Sequence, residues 1–142
     1  MAKKKNKQQT TTNEKRKYCA VEPSNDAIKG REIVIEDLRQ KCLYDILSTD
    51  GKESSWFDYM ERVHMQCYNE INEDCSFNAH KHLGLDWERT NKCVEDSFSQ
   101  PRDKWDSSTC TNSVIDKEIA YWKEFGTNIY PSIVINKKTY RG

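Results

Sequence analysis

The sequence lacks the patterns that most enzyme classes require. It has no G-x-S-x-G elbow, no phosphate-binding loop and no dinucleotide fingerprint. C-x-x-C is also missing, and with it the arrangement in which one thiolate attacks and a close second thiol resolves the mixed disulfide. Cys42 is followed by Leu-Tyr-Asp, so it has no resolving partner at that spacing. No N-x-S/T acceptor occurs, which leaves glycosylation silent about compartment. No run of residues approaches the length of a membrane span, and the start lacks the apolar segment of a secretory leader. Apolar residues are scarce as well, at 35% against 32% charged. Aromatics at 11%, four of them Trp, nevertheless argue against wholesale disorder. A chain of 142 residues fits one domain with a modest core.

Charge is balanced overall but unevenly placed. Residues 1–17, "MAKKKNKQQTTTNEKRK", carry seven Lys/Arg against the single acid Glu14, a net +6, so residues 18–142 carry −6. This basic arm has no apolar periodicity and is expected to be disordered. Such an arm can dock on nucleic acid or anionic lipid, but no basic-aromatic surface follows it. A solvated tail and no nucleic-acid partner are therefore the expectation.

Six cysteines, Cys19, Cys42, Cys67, Cys75, Cys93 and Cys110, suggest disulfides and an oxidising compartment. The missing leader conflicts with that. Either the cysteines are reduced in a cytosolic protein, or the chain is a piece of a longer secretory one, and the second reading is preferred.

Helical periodicity dominates. "EIVIEDLRQKCLYDIL" (32–47) places Ile35, Leu38, Cys42 and Ile46 at helical spacing. "SWFDYMERVHMQC" sets Trp56, Met60, Val63 and Cys67 on one stripe, read as core packing. In the next segment Cys75, Ala79 and Leu83 share a face, Gly84 is a helix stop and Asp86 an N-cap, which predicts a helical hairpin. After a loop broken by Pro101, Asn112 caps "SVIDKEIAYWKEF", with Ile115, Ile119, Trp122 and Phe125 in an apolar stripe and Gly126 at its end. Then "SIVI", the turn "NKK" and "TYRG" read as two strands entered through Pro131, where a residue without an N–H is tolerated.

Metal binding is not expected. Cys75, His80 and His82 lie near Cys67 and Cys93, but Cys67 and Cys75 are too far apart for a structural zinc pair. His80 and His82 point to different faces of a helix and read as surface residues. The adjacent acids Glu36/Asp37, Glu73/Asp74 and Glu95/Asp96 are expected to face solvent, with no second catalytic group fixed to any pair. No cofactor is implied.

Cysteine pairing can be argued from the hairpin. If residues 74–83 and 86–94 are antiparallel helices turning at Gly84-Leu85, Cys75 and Cys93 both sit roughly 12–14 Å from the turn, level with each other. Ala79 on the same face permits close approach. The expectation is Cys75–Cys93, adding about 3 kcal/mol by chain-entropy reasoning, with Cys42–Cys67 as second choice. Cys19 and Cys110 are left over, Cys19 having lost its partner with an upstream segment.

"KYCAVEP", "IVIEDLRQKC", "SWFDYMERVHMQC", "EDCSFNAHKHLGLDWERTNKC" and "IYPSIVINKKTYRG" run in an order similar to the central luminal region of plant-type vacuolar sorting receptors. The resemblance covers roughly residues 17–142 and implies an α/β, thioredoxin-like domain, helix-rich, with a disulfide-bonded helical insertion and its sheet mainly at the C-terminal end. It implies that the Tyr130–Pro131 bond is cis, and that the chain is C-terminally incomplete, since it stops before the last helix and cysteine of the family domain. The implied function is non-catalytic: a scaffold or ligand-binding part of a receptor that sorts soluble hydrolases to a vacuole or lysosome. Its partners would be cargo proteins with peptide sorting signals in the endomembrane lumen, and membrane contact would come only through receptor parts absent from this chain. The alternatives are a thiol-disulfide oxidoreductase, suggested by the similar helix-rich insertion of lysosomal thiol reductases, and a cytosolic interaction protein with a basic arm.

Overall fold

The computed structural model describes residues 18, 20, 28–126 and 132–141. The basic arm, Cys19 and Pro131 lie outside them, and with them the expectations placed on the arm and on a cis Tyr130–Pro131 bond.

Among the described residues five α-helices precede a small hairpin: α1 (Gly30–Thr49), α2 (Ser54–Cys67), α3 (Glu73–Leu83), α4 (Trp87–Ser97), α5 (Ser113–Phe125), β1 (Ser132–Ile135) and β2 (Lys138–Arg141). Local chemistry sets most boundaries. The Asn72 side chain accepts from the Cys75 N–H, Asp86 from Arg89, and Asn112 from Val114 and Ile115, each satisfying donors that a helix start leaves unpaired. Gly84 closes α3 in the left-handed conformation at φ 66°. Asn136 and Lys137 both adopt positive φ, the backbone of a two-residue hairpin turn, and β1 pairs antiparallel with β2 from Ser132↔Arg141 to Ile135↔Lys138.

α1 organises the molecule because it packs on two sides. One side joins α4 and the 98–110 loop in a cluster of Ile35, Leu38, Cys42, Val94, Phe98, Trp105 and Cys110, joined by Tyr18. The other side carries Leu43 and Leu47 against Tyr59, Val63, Cys67 and Ala79 of α2 and α3. The 98–110 loop is held by the Ser99 N–H to Thr111 carbonyl bond (2.9 Å) and by Trp105 stacked on Phe98, centroids 4.0 Å apart. Tyr18 ties residue 18 to α5, its hydroxyl donating to Asp116 at 2.8 Å and accepting from the Asn112 N–H at 2.9 Å.

This arrangement corrects the expected hairpin. α4 packs mainly on α1 and α3 mainly on α2, while α3 and α4 touch each other little. The disulfides follow: Cys42–Cys93 joins α1 to α4, and Cys67–Cys75 joins α2 to α3, with Cα atoms 5.9 Å apart in both. The expected pairs Cys75–Cys93 and Cys42–Cys67 are therefore not formed. The turn at Gly84-Leu85 is where expected, but α3 and α4 diverge from it, each following a different partner. The four cysteines are those expected to be oxidised; their partners are exchanged.

The first turn of α5 rests on the core through Val114 and Ile115, but the rest of the helix and the hairpin are more exposed. No α5 residue is buried, and Ile119, Trp122, Ile133, Val134 and Ile135 remain exposed. The Thr139 hydroxyl donates to the Phe125 carbonyl at 2.6 Å, closing the sheet onto the helix end. A Cβ on Gly126 would press into the Trp122 carbonyl and indole, which accounts for glycine there.

Candidate functional site

At the junction of α1, α2 and α3 lies a buried polar cluster. Glu36 is 3% exposed and Arg39 2%, although they flank the apolar stripe of α1. One turn of helix makes them neighbours, and Arg39 Nη1 donates to Glu36 Oε2 at 2.7 Å. The same carboxylate oxygen accepts from Ser76 Oγ of α3 at 2.5 Å. Its other oxygen accepts from the Tyr59 hydroxyl of α2 at 3.0 Å and from Gln40 Nε2 at 3.1 Å. Glu36 thus ties three helices, against the expectation that the Glu36/Asp37 pair faces solvent. Asp37 does face solvent; Glu36 turns inward because Arg39 and three neutral donors supply what water would.

His80 completes the cluster and is also a correction, being fully buried rather than on the surface. Its Nδ1 lies 2.9 Å from the Ser76 carbonyl and must donate to it, which leaves Nε2 unprotonated, buried and without a protein partner among the described residues. Its ring packs edge-on against Tyr59 and Trp87, with centroids 4.6 and 5.1 Å away. The Arg39 guanidinium sits 5.1 Å from the Trp87 ring, and its Nε also lacks a partner. His82, one residue beyond the next, is exposed as expected.

Ser76, His80 and Glu36 are the residue types of a hydrolytic triad, but their order of contact is wrong. The serine hydroxyl donates to the carboxylate rather than to the imidazole, and the imidazole is spent on a backbone carbonyl. Burial first, and then the Glu36 carboxylate, push the Tyr59 hydroxyl well above its ordinary range, so it stays protonated. The arrangement is suited to fastening helices and holds no free nucleophile. Among the described residues no group of three or more His, Cys, Asp or Glu side chains could hold a metal ion. Cys110 is an unpaired thiol, wholly buried beside Trp105 and Phe98.

The cluster makes stability depend on pH. Burial, chiefly, holds the His80 imidazole below its ordinary range, and the nearby Arg39 charge acts in the same direction. The folded state therefore prefers neutral His80, while the unfolded chain takes up a proton near pH 6.5. As pH falls through that value the unfolded state binds more protons, and stability declines by up to about 1.4 kcal/mol per pH unit until the folded pKa is reached. Urea unfolding at pH 7.0, 6.0 and 5.5 should show the decline, and His80→Gln should flatten it. An identical slope in that variant would assign the effect elsewhere.

Sequence reasoning missed Arg39, Tyr59, Ser76 and the burial of His80. The available signal was spacing: Glu36 and Arg39 each follow a stripe residue, Ile35 and Leu38, and Tyr59 falls between Trp56 and Val63 on the stripe of α2.

No helix among the described residues is long and apolar enough to cross a membrane. Across its whole length, residues 1–142, the chain matches the family model described as the vacuolar sorting receptor thioredoxin-like domain. It is 30% identical over 134 residues to vacuolar-sorting receptor 4 of Arabidopsis thaliana, covering 90% of this chain and 20% of that protein. Vacuolar-sorting receptor 1 of Pisum sativum is 29% identical over 136 residues, covering 89% of this chain and 20% of the relative. The chain thus spans about one fifth of the length of these relatives.

Proposed function

This chain belongs to the thioredoxin-like domain family of vacuolar sorting receptors, and from that premise we propose that it is a non-catalytic luminal domain contributing to the surface with which such a receptor holds soluble hydrolases bound for a vacuole or lysosome. The observation that carries this reading is the family match over the full chain. The use of the cysteines supports it. Cys42, Cys93, Cys67 and Cys75 are consumed in crosslinks between helices, and Cys110 is buried. A thiol oxidoreductase needs an accessible, stabilised thiolate with a resolving partner, and the five cysteines among the described residues offer neither.

Two experiments test it. The oxidised domain should give no insulin reduction above a thiol-free control; turnover abolished by Cys42→Ser would establish an oxidoreductase instead. Titration with the sorting peptides of soluble vacuolar hydrolases should give saturable binding that scrambled peptides do not. Equal heats from sorting and scrambled peptides would overturn the cargo-binding role.

A further inference from the structure

Positions 37, 40, 41 and 44 of α1 recur at i, i+3, i+4 and i+7, so Asp37, Gln40, Lys41 and Tyr44 form one face of that helix. The first turn of α2 lays Trp56 over this face and fastens it there, the indole N–H donating to the Gln40 carbonyl at 3.0 Å. The result is a cleft of about 330 Å³ walled by Tyr44 and Trp56, whose ring centroids are 5.7 Å apart and nearly perpendicular. Phe57 extends the aromatic shoulder, 5.2 Å from Trp56 and 65% exposed.

The polar groups of the cleft are unequally engaged. Lys41 is held by Asp45, Nζ to carboxylate 2.8 Å, with its ammonium 5.7 Å from the Tyr44 ring. Asp37 makes no hydrogen bond or ion pair within the described residues. Although it faces solvent, its carboxyl sits above the ordinary range, first because neighbouring side chains displace water and then because Glu36 adjoins it. Asp45 and, from α5, Glu118 also act on Lys41, so carboxylates outnumber the one ammonium here. An unpaired carboxylate at the mouth of an aromatic cleft, in a field of net negative charge, is complementary to a cation.

We propose that the cleft of Asp37, Tyr44 and Trp56 binds a lysine or arginine side chain of an extended peptide. Asp37 would accept the charged N–H groups, and the aromatic walls would cover the aliphatic stem and the face of the cation. The source of the peptide, a cargo protein, rests on the proposed receptor role; the chemistry of the cleft does not.

The test is calorimetric titration of the oxidised chain at low salt with acetyl-Ala-Ala-Arg-Ala-amide, and with the same peptide carrying citrulline, which keeps the shape and removes the charge. The arginine peptide should bind at least about tenfold more tightly than the citrulline one. Asp37→Asn should abolish that difference, while Glu88→Gln, the loss of an equal charge on α4, should leave it. No binding of the arginine peptide up to millimolar concentration, equal binding of citrulline, or indifference to Asp37→Asn would each overturn the proposal. Sorting peptides that still bind Asp37→Asn undiminished would overturn cargo as the source of the bound side chain and leave the receptor reading standing.

Discussion

Glu36→Ala should lower stability by about 3–5 kcal/mol, because it strands a buried guanidinium. Arg39 is 2% exposed and has no water to turn to, and Ser76 Oγ and the Tyr59 hydroxyl lose an acceptor in the same step. Against a total of about 5–15 kcal/mol for a typical domain, that is enough to leave much of the population unfolded at 37 °C. The paired change Glu36→Leu with Arg39→Met removes both charges and fills the space with apolar atoms, so it should cost less than the single change. Urea unfolding of the parent and both variants measures this. A Glu36→Ala protein within about 1 kcal/mol of the parent would contradict a buried, charge-paired junction.

Removing the Cys42–Cys93 crosslink should have an effect of similar size for a different reason. The bond joins residues 51 apart in sequence, and by chain-entropy reasoning closing such a loop contributes about 4 kcal/mol. Cys67–Cys75 spans only 8 positions, for which the same reasoning gives about 2.5 kcal/mol. The double variant Cys42→Ala/Cys93→Ala should therefore melt well below Cys67→Ala/Cys75→Ala. The reverse order would mean that the short loop between α2 and α3 does more to fasten the fold than the contact of α1 with α4.

What could be read from the sequence was local. Asn112, Asp86 and Gly84 mark helix ends through bonds to residues two to four positions away, and all three stand where expected. The helical stripes and the hairpin of "SIVI" and "TYRG" are likewise short-range patterns. Partner choice is not short-range. That α4 lies on α1 rather than on α3 depends on which apolar faces fit together, and the direction of the Gly84-Leu85 turn carries no trace of it. The disulfide pairs were misassigned for that reason.

Charge gave the second blind spot. Glu36, Arg39 and His80 carry residue types that mostly face water, and only the coincidence of three helices at one point makes their burial tolerable. The stripe of Ile119 and Trp122 has the helical period expected of it, yet those residues remain exposed.

The measurement that tests the account most directly is a disulfide map of the oxidised native protein, by proteolysis without reduction and mass spectrometry, with free thiols counted beforehand. The crosslinks should be Cys42–Cys93 and Cys67–Cys75, fastening α1 to α4 and α2 to α3 and leaving none of these four cysteines free for redox chemistry. A peptide joining Cys75 to Cys93 or Cys42 to Cys67, or free thiols at these four positions, would contradict both the helix pairing and the reading of the cysteines as structural.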